Sequence, residues 1–557
     1  MDFVLALHSH LPWVLNHGRW PHGSDWLCEA ALDTYLPLIE RLRALEAARI
    51  PAPLTLGITP VLANQLASPV FVAELEAFFT QRLLACDEAE ASLASTGEGR
   101  LVPLVKFWRE RLDGLRRLFH DLGGDLVSAI RGLEDGGRLE TITSAATHGF
   151  LPLLARDESI RLQLAVGRAE HRRLFGRIPE GVWLPECAYR PRGPWQPWDT
   201  APRAGIRPGI EEYVGAAGFR YFFVDSHLAS AGRPLGIYGD PGGDPIVQRS
   251  GGRSEDRGHR SPYVAYEVAP WQPDGMAALV RDPRSSMQVW SRYHGYPGDA
   301  AYLEFHKMRW PGGLKLWRVT GAGVDLGDKA PYDPASARER AQDHAEHFAG
   351  LLEGIAASER QRRDGVIVAP FDTELFGHWW FEGPEWLAGV YRSLARAERG
   401  VRPVTAGRHL AEHHVRQPIA LPPGSWGANG DFSMWIGERT AWTWERLWAL
   451  EARFWDAAGP ALERPAARPV LAQAAREMLL AQASDWQFII STGAAADYAE
   501  RRFRQHCDDA ETLLQALAPG AEERLARAQA SADELHRRDD VFPDILSTVA
   551  AARGGPA

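Results

Sequence analysis

Residues 366–386, VIVAPFDTELFGHWWFEGPEW, place Asp372 and Glu374 directly behind an apolar run and follow them with His378, Trp379 and Trp380. A carboxyl group that exchanges a proton near neutral pH needs an apolar surround to raise its pKa. Here the run before Asp372 and the Trp379–Trp380 pair after it supply one. Other apolar runs end in the same manner: LALHSHLPW in His8 and His10, TSAATHGF in His148, GVWLPECAY in Glu186, and FFVDSH in Asp225 and His227. Two carboxylates facing each other across a cleft rimmed with aromatic rings suit cleavage of a glycosidic bond. One protonates the leaving oxygen and the other meets the oxocarbenium-like centre. Glu186 and Asp372 are the expected pair. A lone carboxylate at a strand end is most often a helix cap or an ion-pair partner; two of them at separate strand ends, each beside tryptophans, favour chemistry.

The elements that must position these groups read as alternating strands and helices. Short apolar runs (DFVLALHSH, PLTLGITP, LETITSA, GVWLPE, FRYFFVDSH, GLKLWRVT, GVIVAPFDTE) alternate with helical patterns, which indicates an α/β fold with a mostly parallel sheet closed as a (β/α) barrel. In such barrels the catalytic side chains sit at the C-terminal ends of the strands, so the residues above converge on one mouth. Between about 70 and 135 the strand signals vanish and two amphipathic stretches read as a helical insertion. Beyond the Pro-rich QPIALPPGSWG the pattern is helical to the end, with stretches at 438–457, 466–484, 494–517 and 520–537.

Composition narrows the partners. The chain has 557 residues with 62 basic against 72 acidic side chains, a net charge of −10, and no Lys/Arg run able to neutralise a row of phosphates. Nucleic acid is not expected as a partner. No stretch approaches the roughly 20 apolar residues of a membrane helix. The N-terminal VLALHSHLPWV, broken by two histidines and a proline and without a basic leader, reads as a strand rather than a signal peptide, so a cytoplasmic, monomeric protein is expected. Cys28, Cys86, Cys187 and Cys507 are scattered and expected to be free thiols, Cys187 an inert buried one. The 21 tryptophans, many in Gly- and Pro-rich contexts, suit stacking on sugar faces. The Gly/Pro-rich stretch from Ala229 to Pro262 reads as a functional lid or a disordered loop.

HSHLPW, GVWLPE, VDSH, APFDTELFGHWW, SWGANGDFSMWI and SDWQFIISTG, in this order along nearly the whole chain, resemble glycoside hydrolase family 57, most of all its 1,4-α-glucan branching enzymes. The resemblance implies a (β/α)7 barrel (residues 1–70 and 136–415), an inserted helical domain (71–135) and a C-terminal all-helical domain (416–557) that contributes to the glucan cleft. It implies a retaining mechanism with Glu186 as nucleophile and Asp372 as general acid/base, and α-glucan (amylose, amylopectin, glycogen) as substrate. His10 and His148 match histidines that bind the sugar at the cleavage point. Trp290, Trp426 and Trp435 match tryptophans of the cleft, and Tyr238 matches a tyrosine at the tip of a shielding loop. His8, Asp225, His227, His378, Trp379 and Asp485 complete the expected substrate-binding set. No cofactor and no metal are expected. The alternatives are an α-amylase or 4-α-glucanotransferase on the same scaffold, a metal-dependent deacetylase or α-mannosidase using the H-S-H pair, and a non-catalytic glycan-binding protein.

Overall fold

The computed structural model describes residues 1–20, 22–202, 204–229, 260–268, 275–291, 295–321, 323–362, 364–396, 400–415, 417–518 and 522–554. Seven parallel strands form its centre: β1 (Asp2–Ser9), β2 (Leu54–Ile58), β3 (Leu139–Ser144), β4 (Gly181–Trp183), β5 (Tyr221–Val224), β6 (Met276–Val280) and β7 (Val366–Asp372). Their order is β7-β1-β2-β3-β4-β5-β6, every neighbouring pair parallel. The sheet curls until its two edges meet. Arg281, just past β6, bridges Val368 of β7 in parallel, and the Asp282 N–H donates to the Val368 carbonyl at 2.8 Å.

The seam between β6 and β7 is wider at the opposite end and is filled by other chain. Tyr266–Val268 runs antiparallel to β6, and the Val366 N–H donates to the Tyr263 carbonyl at 3.0 Å. The result is a distorted (β/α)7 barrel. Its strands are covered on both faces, which is why β1 is buried at every residue and reads as one apolar run.

The sixth strand is not the one the sequence suggests. GLKLWRVT, expected as a strand, lies in a two-stranded arm outside the barrel, and Met276–Val280 (MAALV) occupies the barrel position. The reason is legible afterwards. In GLKLWRVT the buried Leu314 and Leu316 alternate with partly exposed Lys315 and Trp317, the pattern of a ribbon with one wet face. MAALV is buried throughout, and its alanines carry little strand propensity.

Between β2 and β3 lie helices Pro69–Ser95, Val102–Asp121 and Leu126–Asp135. The C-terminal region is built from helices Ala441–Leu462, Arg468–Ala481, Asp485–Thr492, Ala496–Ala516, Glu522–Arg538 and Ile545–Arg553. This region is tied to the loop after β1. Arg502 donates to the Trp13 carbonyl at 2.7 Å, and His17 Nε2 meets Asp539 Oδ1 at 2.6 Å. The helices therefore grip the loop that follows His8 and His10. Among the described residues no helix is long and apolar enough to cross a membrane.

Candidate active site

The strand ends on the barrel mouth carry the carboxylates and histidines singled out by the sequence. Asp372 closes β7 and pairs in register with His8 of β1. Glu186 sits on a single tight turn, Pro185–Cys187, after β4, and the backbone there is left-handed (φ 60° at Glu186, 48° at Cys187). His148, on the turn after β3, is also left-handed, with φ 59°. Such a conformation in a residue bearing a side chain costs about 1–3 kcal/mol and persists only where the surroundings enforce it. At Glu186 two contacts from Trp426 do so: its indole N–H donates to Oε2 at 2.9 Å, and its backbone N–H to the Glu186 carbonyl at 3.1 Å.

Three imidazoles line the neighbouring wall. His10 stacks on His148 with ring centroids 4.1 Å apart, and His8 lies on Trp183 at 4.7 Å, nearly parallel. His8 Nε2 and His148 Nε2 share one hydrogen bond at 3.0 Å. Burial holds His8 and His148 well below the ordinary histidine pKa, and His10 beside them adds to the effect. Both rings are therefore neutral at pH 7, able to donate to or accept from a sugar hydroxyl without adding charge.

The C-terminal helices complete this wall. Asp485 Oδ2 meets His10 Nε2 at 2.8 Å, and Ser484 Oγ meets His148 Nδ1 at 2.9 Å, from where its hydroxyl favours the ionised Glu186 carboxyl. Ligand atoms of His10, His148 and Asp485 lie within 4.8 Å of one another. The ring nitrogens already have protein partners, His10 in Thr59 and Asp485 and His148 in Ser484 and His8, so an ion there would have to break hydrogen bonds.

Burial dominates both carboxyls. It pushes Glu186 up to about 8, against the donors Trp426 and Ser484 and with help from the charges of Asp372 and Asp485. It pushes Asp372 up to about 6, against Arg281 and His10. The sequence pointed to Asp372 as the group that titrates high; the structure raises both, Glu186 further. Carboxyls that influence each other titrate as a pair. At neutral pH this pair retains a proton. The hydrogen-bond donors that stabilise an ionised carboxylate sit on Glu186, and among the described residues none is directed at Asp372.

The remaining expected residues fall in distinct places. Asp225 is fully buried and faces inward, its Oδ2 at 3.8 Å from both Arg281 and His227, its Oδ1 capped by the Ser226 N–H. His227 Nε2 reaches the Gly430 carbonyl at 3.0 Å and so anchors the loop that carries Trp426. Trp290 ends helix Pro283–Trp290 half-buried. Trp379 is half exposed beside the catalytic loop. His378 points back to Asp33 at 4.0 Å, its pKa lowered to about 4 by burial, with Lys315 adding to the shift. Trp435, expected on the cleft, is instead fully buried and stacked on Phe150 at 4.6 Å, because the Phe432–Ile436 turn folds it into the helical core. Tyr238 lies outside the described residues.

Three residues that the sequence did not single out shape the site. Arg281 packs over the Trp426 ring at 5.4 Å and faces Asp225. Ser484 links His148 to Glu186. Tyr35 donates its hydroxyl to Glu374, which also accepts the His10 N–H at 3.2 Å. Tyr35 lies in a π-helical turn, Ala31–Tyr35, whose Thr34 accepts the His378 N–H at 3.1 Å. π-turns of this kind are frequent at functional sites, and this one holds the loop after β7 from behind. Gly377 makes the fit possible: at φ 123°, a Cβ there would meet the Asp33 carbonyl at 1.9 Å.

A half-buried carboxylate pair, neutral histidines and an indole donor at the mouth of a seven-stranded barrel define a carbohydrate-active enzyme. The Glycosyl hydrolase family 57 profile matches residues 4–422, and the chain belongs to that family. A second profile, 1,4-alpha-glucan branching enzyme, C-terminal, matches residues 447–549. The 1,4-alpha-glucan branching enzyme TK1436 of Thermococcus kodakarensis is 39% identical over 549 residues, covering 98% of this chain and 77% of that protein. Its crystal structure with glucose and additives superposes with a TM-score of 0.87 at 36% identity, over 98% of this chain and 96% of that one. The GH57-type branching enzyme of Pyrococcus horikoshii gives 0.85 at 36% identity, over 98% and 96%. The alpha-amylase AmyC of Thermotoga maritima gives 0.80 at 28% identity, over 99% of each chain.

Proposed function

We propose that this chain is a 1,4-alpha-glucan branching enzyme that transfers an α-1,4-glucan segment to a glucan 6-hydroxyl with retention of configuration, acting in the cytoplasm on storage glucans of the glycogen type. The observation that carries the reading is the carboxylate pair itself, Glu186 under the Trp426 indole after β4 and Asp372 at the end of β7 on the same barrel mouth, in a chain similar from end to end to branching enzymes. Glu186 attacks the anomeric carbon as its C–O bond to the departing chain breaks. Asp372 gives that oxygen its proton. A covalent glucosyl ester remains on Glu186, and Asp372, now ionised, takes the proton of the incoming 6-hydroxyl as that oxygen displaces the carboxylate. His10 and His148 hold the sugar hydroxyls.

Hydrolysis is the second reading, favoured by the end-to-end similarity to the amylase AmyC. Water then replaces the 6-hydroxyl in the last step. Proton NMR of amylose products separates the two, since α-1,6 and α-1,4 anomeric signals are resolved. Growth of the α-1,6 signal at nearly constant reducing-end count is expected; a rise in reducing ends with no α-1,6 signal would assign the chain to the amylases.

A further inference from the structure

The segment Leu303–Arg318 leaves the barrel as a two-stranded arm. Leu303 bridges Arg318 and Arg309 bridges Leu314, both antiparallel, with the Glu304 N–H on the Trp317 carbonyl at 2.9 Å and the Arg309 N–H on the Leu314 carbonyl at 2.8 Å. One face of the arm is clamped to helices Pro69–Ser95 and Val102–Asp121. Arg82 donates to the Gly312 carbonyl at 2.6 Å, the Trp108 indole to the Lys315 carbonyl at 2.6 Å, and Arg309 to Ser92 Oγ at 2.9 Å. The arm is held along its length.

Away from those contacts His306, Met308 and Trp310 are all exposed. Trp310 at the tip has 64% of its surface open. This row is continuous with the cleft. Phe305 meets the edge of Trp379 at 5.2 Å and the His306 ring at 3.7 Å, and Trp379 follows directly on the catalytic loop. From Phe305 to Trp310 the chain spans at most about 17 Å. A ridge one side chain wide is far smaller than the roughly 800 Å² per partner of a stable protein interface. It is the right width for a single polysaccharide chain, whose apolar sugar faces stack on flat rings while the hydroxyls stay in water.

We propose that the outer face of this arm is a distal binding track for the glucan chain, with Trp310 as its outermost platform, engaged only by chains that extend beyond the catalytic pocket. The inference rests on the α-glucan reading above. It assigns to the arm a preference for long substrates.

The test compares wild type with Trp310→Ala and Met308→Asn, both at exposed positions, after circular dichroism has shown unchanged folding. Trp310→Ala should raise the KM for amylose roughly tenfold, the equivalent of about 1.4 kcal/mol of lost ring stacking, with kcat unchanged and with weaker retention in an amylopectin gel. Met308→Asn should do the same to a smaller degree. Maltotriose, too short to leave the pocket, should inhibit all three proteins with the same constant. An unchanged amylose KM in both variants would overturn the track. So would a maltotriose constant that weakens in step, because the effect would then lie in the pocket. A wild type that neither binds nor consumes any α-glucan would overturn the glucan reading, and the track with it.

Discussion

Replacing Trp426 by Phe removes one hydrogen bond and leaves most of the ring in place. That bond, indole N–H to Glu186 Oε2 at 2.9 Å, is given to a group that must be ionised to attack. A hydrogen bond to a charged acceptor contributes roughly 1.5–3 kcal/mol, and 1.36 kcal/mol corresponds to about one pKa unit. The donor favours the carboxylate, so its loss raises the Glu186 pKa, already pushed up to about 8 by burial, by roughly one to two further units. Because Asp372 must keep its proton while Glu186 is ionised, activity around neutral pH should therefore fall about 10- to 100-fold, and the two profiles should converge at alkaline pH, where Glu186 is ionised in both proteins. The assay is the pH profile of amylose consumption for wild type and Trp426→Phe, with Trp435→Phe as a control whose buried ring touches no carboxylate. A loss that is the same at every pH would refute the reasoning, since Trp426 would then merely pack. So would an equal shift in the Trp435→Phe control.

Asp372→Asn and Glu186→Gln should each lower turnover by several orders of magnitude, whereas Glu374→Gln, buried against Tyr35 and the His10 N–H, should lose far less; equal losses at all three in steady-state assays would mean the pair is misassigned. Arg281→Met leaves Asp225 buried without its cation, a cost of about 3 kcal/mol visible as a lower thermal midpoint. Because Arg281 lowers the Asp372 pKa, the same variant should also move the basic limb of the rate profile to higher pH; a limb that stays in place would place the titrating acid elsewhere. Amylose consumption should survive dialysis against EDTA, and a loss restored by added zinc would put an ion on His10, His148 and Asp485.

The fold was legible where burial on both faces leaves an unbroken apolar run. That condition holds for β1, β5 and β7, each readable from sequence and each carrying a residue of the site at or next to its end, His8, Asp225 and Asp372. It failed at β6 because small alanines pack a tight barrel position without advertising a strand, while the longer GLKLWRVT, with its β-branched and aromatic residues, belongs to the arm. The error had a consequence for chemistry. Arg281 follows β6 by one residue, so without the strand the rule that reads catalytic groups off strand ends had no means of reaching it.

The site shows the same division between what spacing encodes and what only packing decides. His8, His10, His148, Glu186 and Asp372 follow from position alone, since a parallel barrel brings every strand end to one mouth. Trp426 and Trp435 lie nine residues apart in one Gly-rich segment and look equivalent in sequence. Yet one donates to Glu186 and the other is sealed against Phe150. What separates them is the anchoring of the loop: His227 on the Gly430 carbonyl and Gly424 paired with Tyr189 fix its first half over the barrel, and the Phe432–Ile436 turn delivers its second half to the helices. Ser484 and Asp485 likewise come from a helical region with no strand ends to mark it. They reach the histidines because Arg502, His17 and Asp539 lock that region onto the loop after β1. The catalytic wall is therefore shared between barrel and helices, so a change at the buried His17–Asp539 contact, remote in sequence from every catalytic carboxylate, acts on the placement of His10 through the chain that joins them.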